Sequence, residues 1–415
     1  MKSRKEFLKQ SLLLSAAVPL AANAFKENLS VNFSEENEAT FWQQIRNQFT
    51  LSSDIINLNN GAVSPQPISV QDAHIKNYRY SNLAPSYFMW QKLDEQREPL
   101  RKRIADFCGV LPDEIAFNRN TTEGLNTIIF GLDLKAGDEV VVSRFDYPFM
   151  LNAWKQRVVK DGIKLNWVTL NFPEENENAL VEKYVSQITP RTKIVHLTHV
   201  INWTGQVIPV ARIAAIAKQK GCEVIVDGAH SFAQLDFKIS DLNCDYFAAS
   251  FHKWMCAPFG TGLLYIKQEK IKNVWPLLSS YDPKGDNIRK FETLGTRSFA
   301  AEMAILAALD FHLSIGSTRK ENRLRTLKNY WAAQLQNIPN FKLLTSLKEE
   351  YSCGLATFEV LHKKAEDIVA HLLEKSKIHA SAVVQEGLNG VRITPHIYTS
   401  FSELDLLVET LRSIK

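Results

Sequence analysis

Lys253 lies in "SFHKWMCAPFGTGLLY" (250–265), after a mostly apolar run and before a Pro/Gly loop, an odd place for a lysine meant only for solvent. Ser250 and His252 stand beside it. Upstream, "EVIVDGAH" closes an apolar run on Asp227, with His230 three residues on. "FNRNTTEG" leads through Asn120, Thr121, Thr122 and Glu123 into a helical pattern. A helix start offers free N–H groups and the positive end of the dipole, which suits a phosphate. A phosphate cradle, a carboxylate and a lysine are together the set that pyridoxal phosphate requires. The lysine carries it as a Schiff base, and the carboxylate keeps the pyridine nitrogen protonated so that the ring takes up electrons. Such a lysine must be desolvated or electrostatically tuned to act near neutral pH. Taken singly, Lys253 reads as a strand-end surface lysine, Asp227 and the threonines as helix caps, and His230 and His252 as core histidines. The order and spacing of the set argue for chemistry instead.

Ligands of open α/β sheets sit at the carboxyl ends of strands, so these residues need a sheet behind them. From about residue 100 the chain alternates helical and strand patterns. "EPLRKRIADFCGV" and "PVARIAAIAKQKG" have helical spacing, the latter closing on Gly221. "EIAF", "GDEVVVS", "KLNWVTL", "KIVHLTHV", "EVIVDGAH" and "DYFAASFH" read as short buried strands. Continuous apolar strands between helices predict an α/β fold with a mostly parallel sheet covered on both faces. After about residue 295 a long helical stretch precedes "YSCGLATFEV", a helix near 364–376 and "GVRITPHIYTS", which predicts a smaller C-terminal α+β domain.

The chain has 415 residues, 45% hydrophobic and 23% charged, ordinary for a globular protein large enough for two domains. Its start has a basic beginning, an apolar stretch from Ser11 to Ala22, and small residues Ala22-Asn23-Ala24 at a cleavage point. Residues 1–24 are therefore expected to be a signal peptide, too short to span a membrane and leaving no stable anchor once cleaved. "SRKEFLK" resembles the twin-arginine export motif with Lys5 in place of the second arginine, which implies a periplasmic destination. The whole chain carries +4 and residues 1–24 carry +3 (Lys2, Arg4, Lys5 and Lys9 against Glu6), leaving about +1, with no basic footprint for nucleic acid. The five cysteines fit neither a zinc site nor a disulfide framework, as expected of a protein that folds in a reducing compartment before export.

From "INLNNGAVSPQP" (56–67) to "VRITPHIYTS" (391–400) the sequence resembles the class V aminotransferases of the fold-type I pyridoxal-phosphate enzymes, especially the isopenicillin N epimerase-like and cysteine desulfurase-related branch. The resemblance implies a large cofactor-binding domain over 55–295 with a seven-stranded sheet. It also implies a small domain over 296–415 and an N-terminal segment, 25–54, packed on the small domain. Lys253 matches the Schiff-base lysine and Asp227 the pyridinium partner, the two catalytic residues. Ser250 and His252 match phosphate-side ligands, and Thr121 and Thr122 the phosphate-binding loop. His230 and Asn202 fall near the cofactor's phenolic oxygen, and Tyr147 where an aromatic ring stacks on the cofactor. Thr296, in "FETLGTRS", matches a segment that reaches the neighbouring subunit's phosphate, which implies a homodimer, with Arg297 close by. Arg392 matches the arginine that clamps the substrate α-carboxylate, a task suited to a planar bidentate donor. Asn60 and Gly61 border the substrate.

The reaction follows from the fate of the α-proton that the freed lysine removes. Aminotransferase and epimerase-like activity on an amino acid or small peptide stand level. A lyase is the alternative, and a silent exported cofactor-binding protein is the reading from another class. The stretch "KSKIHASAVVQEGLNGVR" (375–392) lacks the cysteine that a persulfide mechanism requires.

Overall fold

The computed structural model describes residues 37–336 and 338–414. The signal-peptide and export expectations for 1–24, and the first part of the 25–54 segment, lie outside the described residues.

The β-branched and apolar runs form β1 (Ile115–Asn118), β2 (Glu139–Ser143), β3 (Lys164–Val168), β4 (Thr192–Thr198), β5 (Glu223–Asp227), β6 (Tyr246–Ser250) and β7 (Gly262–Ile266). They make one seven-stranded sheet in the order β1-β7-β6-β5-β4-β2-β3. Strands β2 to β6 run parallel, and β7 is antiparallel to both its neighbours. Alternate side chains serve two cores, because strand residues point to opposite faces in turn. Val141, Val195, Val224, Val226 and Phe247 pack on one face, and Val140, Val142, Ile225 and Ala248 on the other. Helices α2 (Thr121–Gly131) and α3 (Pro148–Asp161) cover the second face, α4 (Glu177–Val185) and α5 (Val210–Gln219) the first. Helix α5 ends as its sequence suggests, just before Gly221 at φ +80°.

Beyond residue 295 the expected long helix is broken into Phe299–Met303, Ile305–Ile315 and α6 (Ser317–Leu335). The last two meet at an angle of 78°, with Gly316 between them at φ +86°, a conformation open to glycine at little cost. Among the described residues no single helix is long and apolar enough to cross a membrane. Strands β8 (Phe341–Leu343), β9 (Ala356–Val360), β10 (Ser381–Gln385) and β11 (Leu388–Ile393) form a second, antiparallel sheet in the order β10-β11-β9-β8. It packs on α6, α7 (Ala365–Ser376) and α8 (Phe401–Arg412) through Leu327, Trp331, Phe358, Ile368, Leu372, Val391 and Leu407. Cys353 lies in the loop before β9 and is fully buried.

Two N-terminal features reach this smaller sheet. Helix α1 (Glu38–Arg46) ends on Arg46, whose guanidinium grips both carboxylate oxygens of Glu403 at 2.9 Å and donates to Tyr398 O at 2.6 Å. Ile56 and Asn57 pair in parallel with Ile378 and His379, and Asn59 bridges to Thr394. The turn at Asn59–Gly61 is thereby laid beside β11, the strand that carries Arg392.

Candidate active site

Strands β4, β5 and β6 end together on Thr198, Asp227 and Ser250, because Thr198 pairs with Asp227 and Asp227 with Ala248 across the parallel register. A cavity of about 400 Å³ opens over these ends. Its wall holds Gly61, Thr121, Thr122, Tyr147, Asn202, Asp227, His230, Ser250, His252, Lys253 and Arg392, all named above from the sequence.

At one end, Asn120 caps α2, its side-chain oxygen accepting from Glu123 N at 2.9 Å. Ser250 Oγ accepts from Thr121 N at 2.9 Å and lies 2.8 Å from Thr121 Oγ1. Helix and strand meet closely because Gly124 has no side chain; a Cβ there would come within 2.5 Å of Asn118 Nδ2 and 2.8 Å of Ala248 Cβ. Hydroxyls and a helix N-terminus thus converge on one spot with His252. This donor set fits a phosphate.

In the middle, Asp227 is buried, and one of its oxygens accepts from Ala229 N at 2.9 Å. Burial raises its pKa, while that hydrogen bond and nearby Lys253 oppose the rise. Burial pushes Lys253 down to about 8, with Asp227 opposing and Arg392 adding to the fall. Lys253 Nζ lies 3.1 Å from His230 Nε2. His230 is held well below the usual histidine range by burial and by the cations Lys253 and Arg392. It therefore stays neutral, with its Nε2 within hydrogen-bond distance of the lysine amine. A buried carboxylate facing a desolvated lysine above a phosphate cradle is the donor set that pyridoxal phosphate demands, so the residues fit that group. Behind this wall Asp146 is buried as well. It accepts from Thr198 Oγ1 at 2.7 Å and from Ser143 N at 2.7 Å. Burial, with a smaller push from Asp227, raises it to about 7.

At the other end, Arg392 is buried without a carboxylate partner among the described residues. Its two terminal nitrogens donate to Asn202 O at 2.9 Å and Asn59 Oδ1 at 3.1 Å, and burial lowers its pKa to about 10, so it remains a cation at neutral pH. Tyr147 is half-buried just before α3, its hydroxyl raised by burial and by Asp227.

Asn60, expected to border the substrate, is fully buried behind Gly61 and donates to Thr394 O at 2.9 Å. Thr296, expected to reach a neighbouring subunit, is exposed outside this chain's cavity, and Arg297 pairs with Glu302 at 2.7 Å beside Trp90 and Phe299. The sequence reading passed over Thr198, Trp203 and Ser381, which also line the cavity. Ser381 reaches it only because β10 pairs it with Arg392, a neighbour that no linear spacing discloses.

The protein-family model "Aminotransferase class-V" matches residues 56–407. An isopenicillin N epimerase from Amycolatopsis lactamdurans is 27% identical over 395 residues, covering 91% of this chain and 99% of that one. A probable cysteine desulfurase from Synechocystis sp. is 28% identical over 396 residues, covering 89% and 93%. The apo structure of a cysteine desulfurase from Thermococcus onnurineus NA1 superposes with a TM-score of 0.79 at 25% identity, over 89% of this chain and 97% of that one.

Proposed function

The chain belongs to the class V aminotransferases, a pyridoxal-phosphate-dependent family, and from that premise we propose that it moves the α-proton of an amino acid or small peptide amine, by transamination or epimerisation, without a persulfide step. The observation that carries this reading is a cavity joining Lys253, Asp227 and Arg392 that no cysteine lines among the described residues. All five cysteines are buried, and Cys353 Sγ rests against Gln234 O and Glu321 O.

Bound pyridoxal phosphate supplies an aldehyde for the substrate amine and an electron-poor ring that stabilises negative charge at the α-carbon. Thr121, Thr122, Ser250 and His252 hold its phosphate, and Asp227 holds the proton on its ring nitrogen. Arg392 binds the substrate carboxylate through its fixed fork and so orients the α-carbon. Lys253 Nζ takes the α-proton as the C–H bond breaks, with His230 fixing the direction of its lone pair. A desolvated amine that titrates near 8 suits that task at neutral pH.

The test is to incubate the purified holoenzyme with a panel of L- and D-amino acids in deuterated water. Deuterium at the α-carbon is expected for the responsive substrates, together with a 2-oxo acid or the opposite enantiomer, and loss of exchange is expected in Lys253→Ala. Sustained sulfide release from L-cysteine without α-exchange products would sink the reading in favour of a lyase. We also propose a homodimer, with the exposed Thr296 turned toward the partner, and export by the twin-arginine route. Replacing Arg4 and Lys5 should keep the chain in the cytoplasm.

A further inference from the structure

We propose that His396 is a positioning residue for Lys253, the middle ring of a buried stack that ties the lysine's loop to the turn bordering the substrate. The ring of Trp254, next to Lys253, stacks on His396 at 5.6 Å and 15°, and His396 stacks on Tyr398 at 5.7 Å and 25°. Tyr398 Oη donates to Asn60 Oδ1 at 2.5 Å, and Asn60 precedes Gly61 in the cavity wall. All three rings are buried. Cys256, at the far side of the lysine loop, has its Sγ 3.5 Å from His396 Nε2.

The same stack is continuous with Arg392. Thr394, two residues beyond that arginine, accepts from Gly61 N through Oγ1 and from Asn60 Nδ2 through its carbonyl, both at 2.9 Å. Ser64 N then donates to His252 O at 3.0 Å, closing the circuit on the residue before Lys253. From below, Lys320, buried on α6, donates to Trp254 O. The carboxylate clamp and the lysine amine come from separate sheets, yet rigid rings and short hydrogen bonds fix their separation. A misplacement of about 1 Å between reacting groups costs on the order of a hundredfold in rate, so the spacing is worth holding.

The inference rests on the cofactor reading above, and its test needs no substrate identity. Two small amines that displace Lys253 from the cofactor are compared by the decay of the holoenzyme's visible absorbance. Aminooxyacetate carries a carboxylate for Arg392, and methoxyamine carries none. Wild type should favour aminooxyacetate. In His396→Ala that preference should shrink roughly tenfold, while His396→Phe, which keeps a stacking ring, should retain it. Tyr398→Phe keeps every ring but loses the bond to Asn60, and should lose part of the preference. Thermal midpoints measured alongside separate positioning from general destabilisation. An unchanged preference in His396→Ala or in Tyr398→Phe, or an equal loss in His396→Ala and His396→Phe, overturns the proposal. A wild type with no visible band removes the cofactor premise, and the proposal with it.

Discussion

Asp227 and Arg392 act on Lys253 in opposite senses, and that opposition is measurable. Asp227 raises the lysine's pKa and Arg392 lowers it, against a larger fall caused by burial. In the cofactor-free protein, acetylation of Lys253 by acetic anhydride, which releases acetate, followed by mass spectrometry, should therefore rise with pH and level off above about 8, not above the ordinary lysine value. Asp227→Asn should move that midpoint down, because the attractive charge is gone. Arg392→Lys keeps the charge but loses the fork that Asn202 and Asn59 hold, and should raise KM for a responsive amino acid by roughly tenfold or more with a smaller effect on kcat. Much of this site was legible because chemistry-bearing residues fall at strand ends in a fixed order: Asp227 closes β5, Ser250 closes β6 and Lys253 follows it. Trp203 and Ser381 were not legible, since strand pairing and loop path, not residue type, bring them to the cavity.

Among the elements, helix α2 is the most demanding. Its first turn must meet β6 closely enough for Thr121 to bond Ser250, and Gly124 sets that approach. Gly124→Ala would add a methyl group where Asn118 and Ala248 already stand, so the helix must shift. The expected outcome is a loss of about 1–3 kcal/mol in stability by calorimetry, with weaker cofactor retention after gel filtration. Unchanged retention would mean that the helix does not seat the phosphate. The parallel sheet was readable from continuous apolar runs such as Val140, Val141 and Val142, whose side chains serve opposite cores. The break at Gly316 left a signal that the helical reading ran past: residues 316–323, GSTRKENR, carry no apolar side chain, and the flanking helices meet there at 78°.

For the molecule as a whole, the buried histidines set an acid limit. Burial lowers His196, His199 and His252 to about 4 and holds His230, His312 and His396 well below the ordinary value. Below about pH 6.5 the unfolded chain takes up protons that the folded chain refuses until near pH 4, so stability falls across that window, by up to about 1.4 kcal/mol per pH unit for each group. Asp146 and Asp227, whose pKa values are raised, work in the other direction, but they are outnumbered by the lowered histidines. A thermal midpoint that stays flat from about pH 6.5 to 4 would contradict this balance. Exposed Trp90 beside the Thr296–Arg297 turn leads us to expect sedimentation as a dimer that Trp90→Glu weakens. A further consequence comes from the five cysteines, each walled in by core and with thiols that burial makes harder to ionise. Thiol exchange needs an exposed thiolate, and this surface offers none among the described residues. Such a fold is indifferent to the redox potential around it: glutathione, air or a disulfide-forming enzyme would all meet the same unreactive exterior.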